Sequence, residues 1–383
     1  GFYASRTLAT SLTASGHPHE ALAIFEQQRG WVEVHGTAEN RAEYAADRSW
    51  PLLALGRLAE ARDSFEQALA ISVELDQAAD INAVLNLLAG TEARMGLCRV
   101  ALSHCEQAIR MHDRIGAVTA TSTNDYLMCG LLNARLGRYS EALRHLNDAL
   151  SRFEAVGAAR YADSARYVLT STYLDLGQLA RAQRVAAPMR VVDVGTAAPR
   201  QWNIEALLAE AAGTNPRAHY ARMVELLGDH SGSTAYNMRE VALLQTARWG
   251  EADVALAEFD RLAAAAEQRH QLGLLIAVLA RRAQAGRASV ERAAADVRRA
   301  LALLSDYEPE GIYRAEIWAI ASDVLAAAGA AAEARAALHD GVTWVETTAR
   351  EHVPDEFRDS FLNRNPVNRE LLRAASRGRL AAR

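Results

Sequence analysis

The sequence predicts an all-α protein, an α-α superhelix of about eight or nine helix pairs. Three observations predict it. Glycines recur at a nearly constant step, Gly16, Gly56, Gly96, Gly137 and Gly177, 40 or 41 residues apart. The residues that follow each glycine recur with it. Alanine and leucine, both strong helix formers, dominate a chain of 383 residues with only 8 prolines. A unit of this length cannot bury its apolar face alone, and stacking such units builds one continuous core.

Each unit reads as a helix, a glycine stop and a second helix. The glycine supplies the positive φ that ends the first helix. Five residues on stands a small side chain, Ala21, Ala61, Ala101, Ala142 or Ala182, which lets the second helix approach the first. One helical turn later a larger side chain fills the space between them: Phe25, Phe65, Cys105 and Leu146, with Ala186 in the fifth unit. Ala68, Ala108 and Ala149 extend the pattern. Phe2, Leu8 and Leu12 already show helical spacing, and the first residue is Gly1, so the chain reads as a piece of a longer protein.

Residues 189–202, MRVVDVGTAAPRQW, break the pattern with Gly195 and Pro199 and read as an irregular connection. Gly213, Gly250, Gly286 and Gly329 are the next expected helix stops, at uneven steps of 37, 36 and 43 residues. Residues 247–263, with Ala255 and Phe259, restore the motif, as do residues 326–342, with Ala334 and Leu338. The chain therefore divides into a regular array over 1–190, a degenerate one over 191–350, and capping helices with a basic tail over 351–383. In the last segment Phe357, Phe361 and Leu362 form one helical stripe. Asn365 is an N-cap and Pro366 the first residue of a second, short helix bearing Leu371 and Leu372. Both stripes are expected to fold back on the repeat that holds Trp318, Leu325 and Leu338.

The Leu-Gly stop, followed by alanine, an aromatic and alanine at fixed offsets, resembles the tetratricopeptide repeat, whose usual period is about 34 residues. A period near 40 implies longer helices or connections. This longer type resembles the helical arrays of large bacterial ATPase and transcriptional regulators, including the maltose-regulator type. Pro354, Phe357, Phe361, Leu362, Pro366, Val367, Asn368, Arg369 and Leu371 resemble the stretch that follows such repeats in multidomain bacterial ATPase regulators and some signalling cyclases. The resemblance implies an upstream ATPase or DNA-binding domain in the parent chain. It also implies that this array is a sensor region, with a protein, a peptide or a small effector as its partner; the cysteine usage and the lack of a recognisable signal peptide lead to the expectation of a reducing cytoplasm.

Enzyme chemistry finds no support. The 42 basic residues are all arginine, so no G-x-x-x-x-G-K-[ST] loop exists, and no cofactor is expected. Neither H-E-x-x-H nor C-x-x-C occurs, and Cys98 and Cys105 beside His104 read as core rather than metal ligands. With Cys129 the cysteines number three, which fits reduced, buried thiols. GDHSGST, residues 228–234, reads as a polar loop. The arginines of 281–299 and of the tail from Arg364 to Arg383 read as solvated faces, and no nucleic-acid partner is expected. No apolar run is long enough for a membrane span, and the net charge of −5 favours no polyanion. A free-standing scaffold is the alternative to a sensor region.

In such arrays the first helix of each pair lines the concave surface. Counting back from each glycine selects the partner-contacting candidates. Trp50 stands six residues before its glycine, Asn86 and Tyr167 ten, Asn124 thirteen, and Arg94 and Arg135 two. Their indole, phenol, amide and guanidinium groups suit a peptide laid in a groove.

Overall fold

The computed structural model describes residues 2–115, 120–189, 198–228, 236–286 and 289–381, and every regular element there is an α-helix. Eighteen of the twenty helices stack as nine successive pairs. The first five pairs are α1 (Phe2–Ala14) with α2 (Pro18–His35), α3 (Ala38–Ala54) with α4 (Leu58–Glu74), α5 (Ala78–Met95) with α6 (Cys98–Ile115), α7 (Ala120–Arg135) with α8 (Tyr139–Ala155), and α9 (Ala159–Asp175) with α10 (Leu179–Ala186). Four more follow: α11 (Ala198–Ala211) with α12 (Arg217–Leu227), α13 (Tyr236–Arg248) with α14 (Ala252–Gln268), α15 (Leu272–Ala285) with α16 (Val290–Leu303), and α17 (Arg314–Ala327) with α18 (Ala331–Glu351). Two further helices, α19 (Asp355–Asn363) and α20 (Pro366–Ala381), end the described chain. Residues 190–197 of the connection expected over 189–202, and residues 229–234 of GDHSGST, lie outside the described residues; Ala198–Trp202, expected to be irregular, instead begin α11.

The five evenly spaced glycines all take positive φ, from 69° to 90°. Each closes its first helix in the same way. The glycine N–H donates to the carbonyl three residues back, and the next N–H donates to the carbonyl five back, as Gln178 does to Tyr173 at 2.8 Å. The second helix then packs closely, because Ala21, Ala61, Ala101, Ala142 and Ala182 are fully buried, with Phe25, Phe65, Cys105 and Leu146 wedged beside them.

The second half follows this rule less faithfully. Gly213 and Gly329 take positive φ, but Gly250 and Gly286 end their helices without it. Before α15 the left-handed residue is His270, with φ 56°. Asp76, with φ 52°, holds the same place before α5, so this turn between pairs is kept while only some of the glycine turns within pairs are.

The array does not splay open. Its second half lies against the edge formed by the glycine turns of the first. The Arg269 side chain sits over Gly56. The Glu308 N–H donates to the Gly96 carbonyl at 2.8 Å, and Gly96 also abuts Gly273. Trp344 and Thr348 press on Gly137, and the Ser140 N–H donates to the His352 carbonyl at 2.8 Å. Ser360 and Asn365 cover Gly177. The Ser360 hydroxyl donates to the Leu176 carbonyl at 2.7 Å, and the Asn365 amide donates to the Asp175 carbonyl at 2.8 Å. Four glycine turns thus form one seam.

Helices α19 and α20 belong to this seam. Phe357 and Phe361 are buried as expected from the stripe, and Leu371 packs beside Gly341 and Trp318. Their aromatic partners, however, come from the first half: Phe361 lies 5.6 Å from Tyr139 and Phe357 6.0 Å from Tyr173, ring centre to ring centre. The segment covers the last pair and also joins it to the fourth and fifth. Asn365 caps α20, accepting from the Val367 and Asn368 N–H groups at 3.0 and 3.2 Å. That helix is 16 residues long rather than short.

Candidate functional site

The two halves, joined along the seam, line a half-open central chamber of about 2220 Å³. The first helix of every pair contributes to its wall, from Thr10 on α1 to Glu316 on α17. Trp50, Asn86, Arg94, Asn124, Arg135 and Tyr167 all line it. They are not equivalent. Trp50 is 40% exposed, the only tryptophan of the six. Asn86 donates from its amide to the carboxylate of Asp125, so it also serves the packing of α5 on α7. Arg135 donates to the Ala93 carbonyl at 2.9 Å and reaches toward Pro309 and Glu310 across the seam, so it ties the halves together. The Tyr167 hydroxyl accepts from the Asn203 amide at 2.7 Å.

Residues of the second half complete the wall, and periodicity did not reach them because the glycine phase is lost there. The Arg281 guanidinium grips Glu316 with two bonds of 2.8 Å, and Arg248 bridges Glu316 and Glu210 at 3.7 and 2.5 Å. Burial alone would push the Glu316 carboxyl up, but Arg281 and Arg248 outweigh it and hold it below the usual carboxylate range. The Arg200 guanidinium donates to the Ser164 hydroxyl at 2.9 Å. Among the described residues eight arginines and four carboxylates line the chamber, a formal excess of four positive charges among them. No group of three or more His, Cys, Asp and Glu side chains suited to a metal ion occurs among the described residues. No helix there is long and apolar enough to cross a membrane. Cys98, Cys105 and Cys129 are buried and free.

Asp175 faces the chamber at the seam. Burial pushes its carboxyl up to about 7, against the lowering effect of the Tyr139 hydroxyl, 3.5 Å away. A carboxyl with a raised folded pKa binds protons more tightly when folded. Its contribution to stability is therefore full in acid and is lost as pH rises from about 4 to about 7. Asp175→Asn should remove that slope and leave the protein about 1–2 kcal/mol more stable than the parent at pH 8, and no more stable at pH 4. Urea unfolding at the two pH values measures the difference.

The tetratricopeptide repeat family matches residues 80–155, which span α5 to α8. The chain carries a tetratricopeptide-type helical repeat. No curated protein matches the sequence. Among solved structures, the apo form of RapI is 14% identical, with 79% of this chain and 98% of that chain covered and a TM-score of 0.48. A Rap protein complexed with competence and sporulation factor is 11% identical, with 100% and 98% covered and a TM-score of 0.42. The apo quorum sensor NprR from B. thuringiensis is 15% identical, with 97% of each chain covered and a TM-score of 0.43. The chamber is therefore read from its own residues.

Proposed function

We propose that this tetratricopeptide-type array is a non-catalytic sensor region that binds a peptide or an extended protein segment in its central chamber. The chamber's size carries the reading. Small-molecule sites occupy roughly 300–1,000 Å³, and this one is about 2220 Å³, room for a chain segment rather than a single small effector. Its wall mixes amides, hydroxyls, aromatic faces and arginines, the groups that hold a peptide backbone and its side chains. In this reading the seam is the output. An occupant touches both halves, so it biases the balance between closed and open superhelix by its different affinity for the two. The resemblance to bacterial ATPase and transcriptional regulators makes an upstream domain of the parent chain the receiver of that change.

The test is fluorescence anisotropy of the full chain against a positional-scanning library of labelled octapeptides. Asn86 also holds Asp125, so Asn86→Ala is expected to lower the melting temperature. Asn124→Ala carries the test more cleanly. It should weaken the selected peptides roughly 5- to 10-fold, the loss of one side-chain hydrogen bond of about 1–1.5 kcal/mol, with melting unchanged. A library in which no member binds below millimolar concentration, or whose binders ignore Asn124→Ala and Trp50→Ala alike, overturns the chamber as the site.

A further inference from the structure

In the regular half of the array, the first helix of each later pair is covered on one face by the second helix of the pair before it. Helix α2 lies on α3, α4 on α5, α6 on α7 and α8 on α9. That face consists of the positions twelve, eight and five residues before each glycine turn. Twelve before stand Tyr44, Val84, Asp125 and Ala165, all buried. Eight before stand Leu88, Cys129 and Leu169, no more than 1% exposed, and Arg48. Five before stand Pro51, Thr91, Leu132 and Thr172, all buried. Bonds to the preceding helix fix the direction: the Tyr44 hydroxyl donates to the Phe25 carbonyl at 3.0 Å, and Arg48 pairs with Glu26 at 2.7 Å, both on α2. In α1 the same three positions hold Ala4, Leu8 and Ser11. All three are exposed, Leu8 by 54%. On α2, Trp31, stacked on Phe2 with ring centres 5.6 Å apart, and Val34 add exposed apolar surface at the same end of the array.

We infer that this face of α1 is the interface of a homodimer, covered by α1 of a second copy about a two-fold axis with Leu8 nearest the axis. Three features select a second copy. The face of α18 that a further pair would cover carries α19 and α20 instead. Copies therefore cannot stack head to tail into a filament, and head-to-head pairing is the contact that closes on itself. The α1 face is also uncharged. Arg6 is the one charged residue of the helix, and it turns to Glu43 and Asp47 on α3. A second copy thus meets no like charge, and nothing on the face selects a partner of opposite charge. Finally, the steps of four and three from Ala4 to Leu8 to Ser11 are those with which two helices pack along a shared seam. The small side chains on either side of Leu8 let the two backbones approach closely. The inference is independent of what the chamber binds.

Sedimentation velocity of the full chain tests it between about 1 and 100 μM, where an interface at the small end of the specific range is expected to form. The parent chain should pass from monomer to dimer and to nothing larger. Leu8→Glu and Leu8→Arg should each weaken the dimer at least about tenfold, because each sets two like charges across the axis. An equimolar mixture of the two variants should regain dimers, since the axis then brings opposite charges together. Val254→Glu, at a comparably exposed position on α14, should leave association unchanged. Leu8 is exposed in the single chain, so both Leu8 variants should melt like the parent at high dilution, which separates loss of association from loss of fold. A parent chain that stays monomeric throughout overturns the proposal. In that case binding of a labelled α4 peptide, residues 57–75, assigns the face to a repeat-type helix of another protein. Dimers that persist in both single variants, or that the mixture fails to restore, place the interface elsewhere and overturn it equally. Growth beyond the dimer would mean an open head-to-tail contact and exclude the two-fold.

Discussion

Gly177→Ala and Gly96→Ala are each expected to lower the stability of the fold by about 3–4 kcal/mol, while Gly16→Ala lowers it by about 1–2 kcal/mol. All three glycines end a first helix at positive φ, so alanine is strained in each by the same left-handed backbone. They differ in what a side chain would meet. A Cβ on Gly16 meets nothing within 4 Å. On Gly177 it would lie 2.5 Å from the Ser360 carbonyl oxygen, and on Gly96 2.7 Å from the Gly273 nitrogen. Both are backbone atoms of the second half and cannot rotate away. The extra loss therefore measures the seam. Equilibrium urea unfolding gives the three values, and limited proteolysis should find new cleavage at the seam in the Gly177 and Gly96 variants alone. Three equal losses would show that these glycines do nothing but turn the chain.

The seam explains what the sequence could and could not disclose. A glycine every 40 residues fixes a local geometry, the helix stop and the close packing of Ala61 or Ala142 behind it, and local geometry repeats wherever the residues do. It therefore places the first helices, and with them Trp50, Asn124 and Tyr167, on the inner wall. Contacts between the halves depend on the superhelical curvature, which accumulates over nine pairs from small rotations at each joint. Nothing in the period announces that Gly96 touches Gly273 or that Arg135 reaches Pro309 across 174 residues. Arg200, Arg248 and Arg281 were missed for a related reason. Arg200 lies within the stretch expected to be irregular, 189–202, and Arg248 and Arg281 lie beyond it, where the glycine count no longer keeps phase. The signal that would have found them is the arginine content of the first helices, α11, α13 and α15, read once their turns are known. The C-terminal stripe was legible as apolar and helical, but the stripe alone does not name its partner. Tyr139 and Tyr173, which lie under it, are more than 180 residues away in sequence.

Deleting residues 352–383 is expected to destabilise two distant regions at once. A simple end cap would protect α17 and α18 and nothing else. Here Phe361 is fully buried against Tyr139, Phe357 meets Tyr173, and Leu371 lies on Gly341 and Trp318. The Tyr313 hydroxyl donates to Asn368 at 3.1 Å, and the Gln178 amide donates to the Ser360 hydroxyl at 2.7 Å. The deletion uncovers apolar surface on both halves and leaves these polar groups to water. Removal of Phe357, Phe361 and Leu371 alone forfeits roughly 5–9 kcal/mol of burial, at about 1.5–3 kcal/mol for each large side chain. Phe361→Ala is the milder form and should cost about 3–5 kcal/mol, as a buried phenylalanine does when its cavity cannot collapse. Hydrogen exchange locates the damage. In both variants amide protection should fall between residues 137 and 177 as well as in α17 and α18, because those turns lose their cover. The truncated chain should also associate through the exposed face at micromolar concentration. If protection at 137–177 is unchanged while α17 and α18 exchange faster, the C-terminal helices only cap the last pair, and the superhelix is held closed by the contacts at Gly56 and Gly96.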